Sequence, residues 1–313
     1  MSSRREKSHE LVTDILTELV STRESTFTIA DLGRFGISAL NFKPTDPKFL
    51  DDRKKCLFKP FDKADIKRWE VPDGGDAAYE AVHKGLDIQD VPSYSHLARK
   101  PTEAEIMRAT RKVIGYLQTN FTFRCEGRTR ATRRPLSDEL GWAEIDYEEF
   151  TGGDGGLLFS TPGRYIGEDF PGWRFRSLQE WWTKDSWDAD VLAGPSTQIV
   201  ISTDGIGKED RLLLSEIGAI VQVIAFRRIQ PEFSHCHIFP VLMLSFFGPR
   251  HGRILQACYD SRSQKLELRI SPIFSFLKKN DDSFDLFLRF MASYPPEAMD
   301  IDLSKLSLES RRI

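Results

Sequence analysis

Several short groupings in this 313-residue chain have the residue types for chemistry. Asp204-Gly-Ile-Gly-Lys208 falls between a predicted strand and a predicted helix, where backbone amides and the helix dipole favour an anion. A P-loop needs Ser or Thr after its lysine, however, and Glu209 follows Lys208. Asp204, Glu209 and Asp210 would also repel a phosphate, so the expectation is a plain strand-to-helix turn. In a strand, His235 and His237 would share one face, as two metal ligands should, with His251 or Cys258 as the nearest further donors. No ligand spacing supports a metal there, and polar residues at a strand entrance are the expected reading.

Arg124, Arg128, Arg130, Arg133 and Arg134 form a basic run with Phe121 and Phe123 beside it, suited to phosphates and stacked bases. Asp138, Glu139, Glu144, Asp146, Glu148 and Glu149 follow directly, so mutual pairing or a solvated mixed surface is expected. Five of the six tryptophans lie between Trp142 and Trp187. Of these Trp173, Trp181, Trp182 and Trp187 are candidates for a binding surface, although aromatics also pack cores where regular structure is scarce.

The elements that must hold these groups can be read from hydrophobic periodicity. Glu10 to Val20 is a predicted amphipathic helix and Phe27 to Leu32 a predicted strand. Five prolines between Asn41 and Lys100 predict irregular structure with short helices. Thr102 and Glu105 match a capping box for a helix running to Gln118. A glycine-rich turn is predicted at Gly152 to Gly156. Gln198 to Ser202 is a predicted strand, and Asp210 to Arg227 a helix apolar nearly all round, hence buried. Ile238 to Phe247, Arg253 to Tyr259 and Lys265 to Ile270 are predicted strands in an antiparallel meander, closed by a helix from Ser283 to Ala292.

The expected fold class is therefore α+β. A helix–three-strand–helix unit at 195–298 packs against a helical and irregular region at 1–190, with a loose tail at 299–313, all in one globule. The stretch Ile238 to Ser275 is similar to hypothetical proteins of filamentous fungi, a likeness that implies no activity. The C-terminal element order resembles the core of the PD-(D/E)xK nuclease superfamily. That resemblance implies a divalent metal such as Mg²⁺ held by an acidic residue on the second strand and a (D/E)xK on the third. Here Asp260 ends the second strand, Glu267-Leu-Arg269 lies on the third, and Glu216 on the preceding helix could assist. Arg269 departs from the pattern, because arginine stays protonated and cannot serve as a base.

Composition sets the outer bounds. Hydrophobic residues at 40% and charged residues at 29% suit a folded chain with a sizeable core, and 22 phenylalanines should dominate it. A formal charge of −3 gives no global attraction for DNA or an acidic membrane. Cys56, Cys125, Cys236 and Cys258 are widely spaced without CxxC, which predicts reduced thiols. With no apolar stretch behind the N-terminal charges, the expected location is cytoplasmic or nuclear. No GxSxG, HExxH or kinase set is present.

The expected function is a non-catalytic interaction or accessory protein. It would engage another protein through Trp173, Trp181 and Trp182 with Arg128, Arg130, Arg133 and Arg134, and need no cofactor. A metal-dependent nuclease-like domain and a small-molecule enzyme with dispersed residues are the alternatives, and the sequence does not fix whether the chain is an enzyme.

Overall fold

The first two strands after the long apolar helix are buried on both faces over most of their length, so they demand cover on both sides. The computed structural model describes residues 2–52, 55–66, 68–69, 103–126, 134–151, 172–182, 192–248, 250–277 and 281–296. In chain order the first elements are α1 (Ser2–Ser21), β1 (Thr26–Thr28), α2 (Ile29–Arg34), β2 (Ile37–Asn41), α3 (Pro47–Leu50), α4 (Lys63–Ile66) and α5 (Glu103–Phe123). The middle contributes β3 (Cys125–Glu126), β4 (Arg134–Pro135), α6 (Leu136–Leu140), β5 (Trp142–Glu144), α7 (Tyr147–Thr151) and β6 (Trp173–Trp182). The last third holds β7 (Leu192–Thr203), β8 (Arg211–Leu213), α8 (Leu214–Ile229), β9 (Ile238–Phe247), β10 (His251–Asp260), β11 (Lys265–Ile270), β12 (Phe274–Ser275) and α9 (Asp281–Met291).

The fold is α+β, with the expected antiparallel meander β9–β10–β11 at its centre. The sheet is wider than that unit. Its strand order is β2-β11-β10-β9-β7-β6-β5, with β12 pairing β10. Both flanks of the meander are parallel pairings, β7 with β9 and β2 with β11. Parallel neighbours need a crossover, and α8 supplies it between β7 and β9. The N-terminal region thus contributes β2, β5 and β6 to the same sheet.

Two apolar clusters sit on opposite faces. One joins α1, α2 and α8 to Ile199, Met243, Leu255 and Leu268. The other joins α5, α9 and residues from Phe42 to Trp69 to Val200, Leu244 and Ile254. The alternation along β10 decides the face: Leu255, Ala257 and Tyr259 belong to the first cluster and Ile254 to the second. Helix α8 is buried along most of its length, from Leu214 through Ile224. Each fully buried aliphatic side chain there contributes roughly 1.5–3 kcal/mol.

Two predicted elements change type at caps. Thr28 and Asp31 form a capping box, so a helix starts where a strand was expected to run on to Leu32. The helix predicted from Asp210 starts later. Arg211 to Leu213 pair with β1, and the Glu216 carboxylate accepts from the Leu213 amide at 2.7 Å, fixing the start at Leu214. The Thr102 cap, the Gly152 to Gly156 turn and the 299–313 tail lie outside the described residues. Among the described residues no helix is long and apolar enough to cross a membrane.

Candidate functional site

The sheet ends, on one side, at β2. Its position is set by the turn before it. Phe35 and Gly36 donate their amides to Leu32 and Gly33, and Gly36 takes φ +70°, a conformation that favours glycine. Phe27 and Phe35 meet edge to face at 5.3 Å beneath that turn. β2 then runs parallel to β11 from Ile37 opposite Leu266 to Asn41 opposite Ile270. Ile37 is buried, whereas Ser38, Leu40 and Asn41 are exposed, Leu40 at 43%. Among the described residues no strand pairs with the outer edge of β2. Its sequence, Ile-Ser-Ala-Leu-Asn, contains neither proline nor charge, the usual devices that blunt an edge. The opposite edge, β5, has three residues, one of them Glu144.

Past Asn41 the chain turns back over the end of the sheet. Asp46 accepts from the Lys48 amide at 3.0 Å and caps α3, which has Pro47 in its first turn. Phe42 and Phe49 stack at 4.6 Å and are nearly fully buried. The facing wall is the β11–β12 connection. There the Ser271 hydroxyl accepts from the Ile254 amide at 2.8 Å, and Glu209 accepts from the Ile273 amide at 3.1 and 3.2 Å. Between the walls lies a cavity of about 690 Å³ lined by Lys43, Lys48 and Lys55, with Asp46 and Glu209 as the acidic residues. Both carboxylates accept from backbone amides and stay charged, and the three lysines outnumber them by one.

The predicted site residues lie elsewhere. Trp173 is buried at 2% exposure, so it packs the core instead of offering a surface. Trp181 and Trp182 are half-buried. The Trp181 Nε1 donates to the Leu140 carbonyl at 3.1 Å, and the Trp182 amide donates to the Gly141 carbonyl at 2.7 Å. The Trp181 ring and the Trp182 backbone thus tie the β5–β6 corner to its neighbours. Trp187, Arg128, Arg130 and Arg133 lie outside the described residues, and Arg134 is in β4, paired with Glu126 across the two-residue ladder. Arg124 donates to the Trp69 carbonyl at 2.8 Å, a structural tie.

His235 and His237 precede β9 and sit in a turn, with His235 exposed, so the strand-face argument for two ligands does not apply to them. Asp204 to Lys208 lead into β8 and not into a helix, and the Lys208 carbonyl accepts from Arg253 at 3.2 Å. The helix start that would hold an anion is filled by Glu216 itself.

The carboxylates of the nuclease-like reading divide between the two faces of the sheet. Glu216 lies on the α8 side of the sheet, where Arg253 Nε donates to it at 2.8 Å. Asp260 and Glu267 fall on the opposite side by strand alternation, since Tyr259, Leu266 and Leu268 face the α8 cluster. Asp260 accepts from the Arg262 amide at 2.8 Å and the Ser263 hydroxyl at 2.7 Å, holding the hairpin turn. Arg269 lies 3.6 Å from Glu267 and is 6% exposed. Among the described residues no three His, Cys, Asp or Glu side chains gather as a metal site would need. Glu216, on the other face, therefore does not join Asp260 and Glu267 around one ion.

Sequence reasoning missed the β2 edge, because openness belongs to strand order and not to residue type. The one signal available was an uncharged β-capable run beside a lysine-rich turn. Comparison with family models, with curated proteins and with solved structures returns no match.

Proposed function

We propose that this chain is a non-catalytic interaction protein that engages a partner polypeptide through the open edge of β2. Strand addition supplies affinity from main-chain hydrogen bonds and specificity from alternate side chains. The observation that carries this reading is that β2 ends the strand order among the described residues while bearing an exposed Leu40 and no charge or proline. The edge at β5 is a poorer candidate, being short, with Trp142 buried and its Nε1 donating to the Ser293 carbonyl at 2.7 Å.

The test is photo-crosslinking in the cells that express the protein. A photoreactive side chain at Ser38 should give one discrete adduct, identified by mass spectrometry. The same group at Ile229, exposed at 56% and remote from the edge, should not give it. Leu40→Lys, which blunts the edge without touching the core, should abolish the adduct. An adduct common to both positions, or one unaffected by Leu40→Lys, would overturn the reading.

A further inference from the structure

We infer that the segment taken up at this edge is acidic: an extended stretch of a partner polypeptide that adds to β2 and sets Asp or Glu side chains against Lys43, Lys48 and Lys55. The inference rests on the edge reading and adds the chemistry of the partner. β2 runs directly into the groove, since Asn41, its last residue, lines the cavity with Lys43 two residues on. A strand laid along the outer edge of β2 would therefore end beside a residue that lines the groove.

The charges there are available. Lys43 and Lys48 make no ion pair among the described residues. Lys55 pairs with Asp52 at 3.0 Å, but at 64% and 34% exposure that pair is worth little and can exchange for another carboxylate. Asp46 and Glu209 line the same space, accept from backbone amides and keep their negative charge, so the three lysines outnumber them by one. A strand partner with carboxylates suits an uncharged edge that ends beside the ammonium groups of Lys43 and Lys48. Nucleic acid fits less well, because Phe42 and Phe49 are buried against each other and offer no face for a base. A second copy of this chain fits less well still, because its own β2, Ile-Ser-Ala-Leu-Asn, carries no carboxylate to set against the lysines.

The probes are a fluorescent peptide of alternating Glu and Val, the same peptide with Gln for every Glu, and an oligothymidylate. Binding would be followed by anisotropy and hydrogen exchange. The acidic peptide should bind the full chain and slow exchange of the β2 amides. Replacing Glu by Gln, or introducing Lys43→Glu with Lys48→Glu, should each weaken it about tenfold. These lysines are surface residues, and circular dichroism checks that the variant folds. Equal binding of the Glu and Gln peptides with slowed β2 exchange would overturn the acidic partner and leave the edge reading standing. Lysine-dependent binding with no change at β2 would overturn strand addition itself. Tighter, lysine-dependent binding of the oligothymidylate would reassign the groove to nucleic acid, and sedimentation as a dimer that Leu40→Lys dissociates would reassign the edge to a second copy. Absence of binding by all three probes would overturn the inference outright.

Discussion

Arg253 on β10 donates from Nε to the Glu216 carboxylate at 2.8 Å, with both side chains 1% exposed or less. Glu216 sits in the first turn of α8 and also receives the Leu213 amide. At the other end of the same helix, Arg227 pairs with Glu180 of β6, equally buried. The signs match the helix dipole at both ends. Between them α8 is apolar and could slide; the two pairs fix its register on the sheet. Removing one partner leaves a buried charge uncompensated, so Glu216→Ala should lower unfolding stability by about 3–5 kcal/mol. Adding Arg253→Met should recover part of that loss, because no charge is then stranded. Urea denaturation of the single and double variants checks this, and additive losses would show that the pair is not coupled.

Cys56 is the thiol built into the structure. It is 1% exposed and its Sγ lies 3.2 Å from the Phe58 carbonyl. Burial pushes it up to about 11, even though Gln256 reaches toward the sulfur. Gln256 holds this loop, its Oε1 accepting from the Leu57 and Phe58 amides at 2.8 and 3.1 Å. Cys125, Cys236 and Cys258 are half-buried. Because the thiolate is the reactive form, iodoacetamide should label those three in the native protein and Cys56 only after unfolding. Gln256→Ala should bring forward the labelling of Cys56. Peptide mass mapping over a time course decides it, and equal rates at Cys56 and Cys236 would contradict the burial argument.

The C-terminal strands were legible because turns bound short runs that are either almost continuously apolar, as in Ile238 to Phe247, or alternate polar and apolar, as in Lys265 to Ile270. Ile238 to Phe247 and Lys265 to Ile270 match the observed strands at both ends. Their neighbours were not legible. Whether β2 or β7 flanks the meander depends on long-range register, which no local period encodes. The tryptophans are a related case: Trp142 and Trp173 bury their rings, and spacing alone does not distinguish burial from display. The carboxylates misled through face. Glu216 and Asp260 appear on adjacent elements, but the period of β10 sends Arg253, and with it Glu216, to the side away from Asp260.

The edge strand hangs on a cap that titrates. Asp31 accepts from the Thr28 hydroxyl and amide, each at 2.7 Å, and its own amide donates to Thr28 Oγ1 at 3.2 Å. The Thr28 hydroxyl and then the Thr28 amide hold its carboxyl below the ordinary value of 3.8, with Arg34 and Arg211 adding in the same direction. A carboxyl depressed by folding contributes stability that is complete above its unfolded value and lost as pH falls through the folded one. Asp31→Asn keeps an acceptor oxygen but removes the charge. Its melting temperature should lie below that of the unsubstituted protein near neutral pH, and the gap should close as pH drops below 3.8. Because α2 leads through Gly36 into β2, hydrogen exchange at Ile37 to Asn41 should quicken in the variant before the rest of the sheet responds. A gap in melting temperature that persists unchanged into acid would show that the cap acts through shape and not through charge.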